Sequence, residues 1–277
     1  MKTRRNFLKQ SSLFGAATLI MPQLSCAAPE NSTYGVQLYS FRDSMLKNPK
    51  KTLEEIASLG FKEIESAGSV KGYYYGLTPS EMEQTCKDLG MKITSGHVRL
   101  DDKFEQTMED AVASGQEYLI CSSMPSDGQT VDNYKKVAEQ FNVAGEACKK
   151  LGLKFGYHNH EYEFDSENGQ VLYDVLMDNT QNDLVYMELD LGWVVVAGKD
   201  PISYFKKYPG RFPLWHLKDM DMTKKESTEF GKGALDISLM LKNKELSGVE
   251  HIFIEQEEYA STPFESMKYN MDYLKKI

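Results

Sequence analysis

The stretch K-L-G-L-K-F-G-Y-H-N-H at residues 150–160 decides the fold. A helical pattern runs into a glycine, the glycine turns the chain into a short apolar strand, and the strand ends on histidines. Gly152 supplies the left-handed residue that closes a helix. The same joint recurs as S-L-G-F-K-E-I-E at 58–65, D-L-G-M-K-I-T-S-G-H at 88–97 and A-S-G-Q-E-Y-L-I-C at 113–121, with Gly60, Gly90 and Gly115 at the turn. Outward from these joints, apolar runs predict eight strands near 34–39, 62–66, 92–97, 118–121, 153–160, 184–191, 212–218 and 249–256. Helical patterns lie between them near 49–59, 79–89, 103–114, 130–151, 170–178, 200–207 and 234–244, and a last one closes the chain at 263–276. Thr78-Pro79 and Asp200-Pro201 read as an N-cap followed by proline at the first helical position. Strict alternation implies parallel strands joined by right-handed crossovers. Eight such units over residues 33–277 predict one domain, a (β/α)₈ TIM barrel. A doubly wound sheet would carry a glycine-rich phosphate loop after its first strand, and Gln37 to Arg42 is not one.

The 277 residues are 41% hydrophobic and 26% charged, with 32 Lys+Arg against 41 Asp+Glu and a net charge of −9. That composition excludes disordered, collagen-like and coiled-coil chains. The acidic balance argues against a nucleic-acid partner, which needs a basic stripe. At the amino terminus Lys2, Arg4, Arg5 and Lys9 precede an apolar run from Leu13 to Met21, about half a membrane span. Residues 1–28 therefore read as a cleavable signal peptide, and T-R-R-N-F-L-K at 3–9 resembles the twin-arginine export signal. The expectation is an exported, periplasmic protein with no membrane span, with Cys26 as a site for a lipid anchor. Cleavage would remove four cations and no acid, taking the net charge to −13. Cys86, Cys121 and Cys148 show no paired spacing and read as buried thiols.

In a barrel the reactive side chains belong at the carboxyl ends of the strands. His97 ends the third strand, His158 and His160 the fifth and His216 the seventh, whereas His251 begins the eighth and belongs to the opposite end. Glu65, Glu188, Asp190, Lys218, Asp219 and Glu255 fall at the same level as the first four. Alternate residues of a strand share a face, so His158 and His160 point together, as do Glu188 and Asp190, and His216 and Lys218. Charges so placed on buried strands are tolerated around a shared polar centre. Imidazole nitrogen and carboxylate oxygen together suit a divalent ion such as Mn²⁺, Co²⁺, Mg²⁺, Fe²⁺ or Zn²⁺, without choosing among them. The competing reading is a set of buried ion pairs, and for Glu188 the two readings weigh equally. Lys218 can stabilise a developing enolate oxygen or pair with a carboxylate. Trp193, Tyr39, Phe41 and Trp215 can stack on a sugar face. Gly231 and Gly233 fall in the loop after the seventh strand, where some barrels grip phosphate.

The motifs Y-H-N-H-E-Y-E-F at 157–164, E-L-D-L-G-W at 188–193, A-G-K-D-P at 197–201, W-H-L-K-D at 215–219, G-K-G-A-L-D at 231–236 and I-E-Q-E at 254–257 resemble the xylose isomerase-like barrel superfamily. The resemblance spans nearly the whole chain after the signal segment and implies a metal-dependent sugar isomerase or epimerase. Its epimerases hold one ion with Glu, Asp, His and Glu from strands five to eight. Asp190, His216 and Glu255 match three of these, and His158 stands where the first glutamate is expected. The implied ligand set is thus His158, Asp190, His216 and Glu255 around one divalent ion, with Mn²⁺ placed first. Glu255, His158 and Lys218 are the expected catalytic groups, and Glu65, His97, His160 and Trp193 the expected contacts to a carbohydrate. His158 breaks the two-glutamate pair of an epimerase. That leaves β-elimination on an oxidised sugar, as in a 3-keto-glycoside lyase or an inosose-type dehydratase, as the alternative. A carbohydrate-binding protein without catalysis is the third reading. Related barrels often pair, so a homodimer is also expected.

Overall fold

The computed structural model describes residues 33–277, and the expected signal segment with Cys26 lies outside them. Eight strands alternate with helices: β1 (Gly35–Gln37), β2 (Glu63–Ser66), β3 (Lys92–Val98), β4 (Tyr118–Cys121), β5 (Lys154–His158), β6 (Val185–Asp190), β7 (Leu214–Leu217) and β8 (His251–Ile254). All pair in parallel with their sequence neighbours, and β1 pairs with β8 to close the barrel. Each expected strand is found within two residues of its predicted limits. The glycine joints behave as the sequence implies, with Gly60, Gly90, Gly115 and Gly152 at positive φ. Thr78 caps the helix Pro79–Asp88, its hydroxyl accepting from the Glu81 N–H at 3.2 Å while its own N–H donates to the Glu81 carboxylate at 2.8 Å.

Period-two alternation sorts each strand into an outer and an inner set. Val36, Ile64, Leu119, Phe155, Tyr157, Met187, Leu189, Trp215 and Ile254 face the helices and belong to the main apolar core. Tyr118, Ile120, Leu214 and Phe253 form a second, smaller cluster inside the barrel, with Tyr186 against it. Gly156 makes that inner packing fit, because a Cβ there would stand 2.7 Å from Ile120 Cδ1 and 2.8 Å from the Tyr186 carbonyl oxygen. Beneath this layer His251 Nδ1 lies 2.7 Å from Glu63 Oε2, so this histidine sits at the opposite end, as expected.

Four features were not foreseen. The β2–β3 register jumps from Ile64↔Ile93 to Glu65↔Ser95, leaving Thr94 as an extra residue in β3. Strict alternation would put Ser95 and His97 on the side of Ile93, which packs outward. The bulge turns both inward, a common use of bulges beside functional sites. A short helix, Leu191–Val196, springs directly from β6 with Asp190 as its cap, Oδ1 accepting from the Trp193 N–H at 3.0 Å. The third feature is a pair of small hairpins, 166–167 with 170–171 and 219–221 with 226–228. Finally, the helix expected over 234–244 begins later, at Ile237–Lys242, and a separate turn of helix follows at Lys244–Ser247. Cys86, Cys121 and Cys148 are free and buried. Burial pushes the Cys121 thiol up to about 11 and the other two up to about 12. No helix among the described residues is long and apolar enough to cross a membrane.

Candidate active site

Above the inner apolar layer the side chains turn polar. Glu188 Oε2, on β6, lies 2.7 Å from His97 Nε2, 3.1 Å from His158 Nδ1 and 3.2 Å from His216 Nε2. The three imidazole rings sit with their centroids 4.5–5.1 Å apart. Glu65 closes the far side, 2.6 Å from His216 Nε2, and accepts from Gln37 Nε2 at 2.8 Å and Ser95 Oγ at 2.6 Å. Nearer the carboxyl ends, Lys218 Nζ stands 3.0 Å from Asp190 Oδ2, 2.8 Å from Glu255 Oε2 and 2.7 Å from Glu257 Oε1. His216 joins the two levels, because its other nitrogen, Nδ1, lies 2.8 Å from Glu255 Oε2 and 3.8 Å from Asp190 Oδ2. Asn159 fixes the spacing of the strands that carry these groups. Its amide accepts from the Asp190 N–H at 3.1 Å and donates to the Asp190 carbonyl at 3.4 Å, tying the end of β5 to β6.

Burial and charge set the protonation of this cluster. Burial, with His216 and His97 as positively charged neighbours, holds His158 well below the usual histidine range, so it is neutral. Burial opposes charge on His216 as well, but Glu188, Glu255 and Glu65 surround it and lift it well above that range. Glu188 is pushed up to about 7 by burial and by the neighbouring Glu65 charge. Burial works against the Glu255 carboxylate too, yet Lys218 and His216 hold it well below the usual carboxylate value. His160 drops to about 4 through burial and the Lys218 charge.

Two overlapping groups among the described residues could hold a divalent ion: Asp190, His216 and Glu255, and His97, His158, Glu188 and His216. Within each group the donor atoms lie within 4.8 Å of one another. Glu188 Oε1 is buried without a hydrogen-bond partner, whereas Asp190 Oδ2 faces the Lys218 ammonium at 3.0 Å. Unsatisfied buried carboxylate oxygen is costly, so the donor set fits an ion. Of the four expected ligands, Asp190, His216 and Glu255 come together. His158 groups instead with His97 and Glu188, although its Nε2 remains 3.9 Å from Asp190 Oδ2.

A cavity of about 750 Å³ opens above, and His97, His158, His160, Trp193, Lys218 and Glu255 all reach its wall. Its outer wall is built by the loops after β2 and β3, from Gly68, Tyr73 and Arg99 among others. Trp193 lies under the Lys218 ammonium, 5.1 Å from ring centroid to Nζ, and 6.1 Å from the His160 ring. Glu65, expected against substrate, is fully buried below the floor, with its carboxylate committed to His216, Gln37 and Ser95. Three residues that matter were not singled out from sequence: Glu257, Asn159 and Glu163. The Glu163 carboxylate accepts from the Tyr157 hydroxyl and from the His160 N–H, pinning the turn that presents His160. The signal for Glu257 was present, since it sits two residues beyond Glu255 on the same side of the strand end.

The loop after β7 differs from a phosphate grip. The Asp219 carboxylate accepts from the N–H groups of Met220 and Leu235 at 2.9 Å through Oδ1, and of Gly231 at 2.9 Å and Gly233 at 3.0 Å through Oδ2. A Cβ at Gly233 would stand 2.3 Å from Asp219 Oδ1, so glycine is needed for this wrapping. The donors that could cradle a phosphate are thus taken by the chain's own carboxylate.

The chain is similar to known proteins over this same barrel. An inosose dehydratase of Clostridium perfringens is 35% identical over 127 residues, covering 44% of this chain and 42% of that protein. An inosose dehydratase of Clostridium beijerinckii is 27% identical over 164 residues, covering 52% and 54%. The chain thus matches about half the length of these curated relatives. A solved structure titled sugar phosphate isomerase/epimerase, from Parabacteroides distasonis, superposes with a TM-score of 0.79 at 28% identity, covering 88% of this chain and 98% of that one. The family model described as xylose isomerase-like TIM barrel matches residues 53–277. The chain belongs to the xylose isomerase-like TIM barrel family.

Proposed function

We propose that this protein is a divalent-metal-dependent enzyme that removes the proton beside a carbonyl of a keto-sugar or inosose, with loss of the β-substituent following. The observation that carries this reading is the asymmetry of the site. Glu255 approaches the cavity from the end of β8, and β5 offers the imidazole of His158 where a two-base epimerase would need a second carboxylate. The likeness to inosose dehydratases supports the elimination reading. The ion would be held around His216, with donors drawn from Asp190, Glu255, His158, Glu188 and His97. Bound there, it supplies Lewis acidity that makes the C–H beside the carbonyl acidic.

The side chains divide the remaining work. Glu255 takes the proton, and His158 is the second candidate for that role. Lys218, with its charge held in place by three carboxylates, stabilises negative charge growing on the substrate oxygen. His160 and Trp193 grip the sugar ring, with His97 beside them. The occupied Asp219 loop favours an unphosphorylated substrate.

The test is product analysis. Metal-loaded protein is incubated with inososes, free keto-sugars and 3-keto-glycosides, and products are read by mass spectrometry. Loss of water or of an aglycone supports elimination, whereas a product of unchanged mass but rearranged structure replaces it with isomerisation. Isomerisation is the second reading, favoured by the likeness to the Parabacteroides distasonis structure.

A further inference from the structure

The cavity above the reacting groups is larger than one sugar ring requires. At about 30 Å³ for a water in the liquid, its volume of about 750 Å³ corresponds to about 25 waters, about twice the number of non-hydrogen atoms in an inosose. The reacting groups occupy its inner end, and the loops after β2 and β3 enclose the remainder. Three cations reach the wall: Lys218, Arg99 and Lys103. Their surroundings differ. The Lys218 ammonium is matched by Asp190, Glu255 and Glu257 at 2.7–3.0 Å. The Arg99 guanidinium and the Lys103 ammonium, by contrast, form no ion pair and donate no side-chain hydrogen bond among the described residues. Their backbones are engaged instead. The Arg99 N–H donates to the Tyr73 hydroxyl at 3.1 Å, and the Lys103 N–H to Asp101 Oδ1 at 2.9 Å. Because the Tyr73 oxygen accepts that bond, its own proton is left to donate elsewhere, and Tyr73 also lines the cavity. Asp101 is the carboxylate on this outer wall, so the two cations exceed it by one charge.

We infer that the outer wall is a second subsite, which binds a carboxylate carried by the substrate beyond its reacting ring, through the Arg99 fork, the Lys103 ammonium and the Tyr73 hydroxyl. This inference rests on the carbohydrate reading above and names the class of carbohydrate, a sugar derivative or glycoside with an acidic substituent. A guanidinium meets a carboxylate with two parallel N–H···O bonds. The excess of one positive charge matches a carboxylate, whereas a phosphate monoester carries about −1.5 to −2 at neutral pH. Binding a remote group in this way holds the reacting carbon in place beneath it.

The experiment is isothermal titration calorimetry of metal-loaded protein with three phenyl β-D-glucopyranosides that differ only in the group para on the phenyl ring: carboxylate, carboxamide or phosphonate. Wild type should bind the carboxylate about tenfold more tightly than the carboxamide, the scale of two solvent-facing charge pairs. In the double variant Arg99→Gln, Lys103→Gln this preference should fall below about twofold, with affinity for the carboxamide unchanged. Both side chains are exposed, and circular dichroism checks that the fold is kept. Equal affinity of wild type for carboxylate and carboxamide, or a preference that survives the double substitution, overturns the inference and leaves the carbohydrate reading in place. Tighter binding of the phosphonate than of the carboxylate overturns it in favour of a phosphorylated substrate. Binding of none of the three at millimolar concentration overturns the carbohydrate reading of the cavity, and this inference with it. No arm reads turnover, so the outcome is separate from the choice between elimination and isomerisation.

Discussion

The ammonium of Lys218 lies 2.8 Å from the carboxylate of Glu255, and both residues are almost wholly buried at the mouth of the barrel. They come from neighbouring strand ends, β7 and β8, and Asp190 and Glu257 complete the set. Removing one partner of such a buried ion cluster leaves uncompensated charge. Lys218→Met, close in volume, should therefore lower stability by about 3–5 kcal/mol in urea or guanidinium unfolding. A loss below about 1 kcal/mol would mean that the three carboxylates do not depend on the ammonium.

Asp219 accepts four backbone N–H groups spread over residues 220–235. Asp219→Ala strands these donors, and each buried unsatisfied group costs about 1–3 kcal/mol before solvent relieves it. We expect a net loss of about 3 kcal/mol and faster proteolytic cutting near Lys232 in the loosened loop. An intact loop in the variant would show that other contacts hold it.

Gly156 faces the inner barrel. Gly156→Ala places a methyl group against Ile120 and a backbone carbonyl that cannot rotate away. Overpacking of this kind costs about 1–3 kcal/mol. A denaturation midpoint equal to that of wild type would show that the inner layer is looser than these contacts imply.

Burial pushes the Glu163 carboxyl up from 4.5 to about 7. A carboxyl that holds its proton more tightly when folded contributes stability in full below about 4.5, and loses it as pH rises through about 7. The shift corresponds to roughly 3 kcal/mol at 1.36 kcal/mol per unit. Urea unfolding of wild type should therefore show falling stability between about pH 5 and pH 8. Glu163→Gln should remove that part of the slope. Parallel curves for the two proteins would contradict the assignment to Glu163.

The barrel was legible because its signals are local. Each glycine joint ends a helix within a few residues of the strand it starts, and Thr78-Pro79 and Asp200-Pro201 cap helices where they stand in sequence. The level of the site was legible for the same reason, since strand ends carry the charged residues. The bulge at Thr94 was not, because Thr94 and Ser95 are both small and polar and their types do not mark which of them is left unpaired. Pairings that depend on residues far apart were also hidden. Glu65 meets His216 across 151 positions, and Lys218 meets Glu257 across 39. The wrapping of Asp219 by residues 12, 14 and 16 positions later reversed the reading of a glycine pair that otherwise suggests a phosphate grip.

The central claim is that a proton beside a carbonyl leaves through Glu255. The direct measurement is ¹H NMR, in D₂O, of a substrate turned over by the metal-loaded wild-type protein and by Glu255→Gln, with metal content checked in both. The account predicts that wild type exchanges or removes this proton, while Glu255→Gln, compared at equal metal occupancy, slows exchange by about 10²–10⁴-fold, the usual contribution of a general base. Full exchange in Glu255→Gln would contradict it and pass the role to His158.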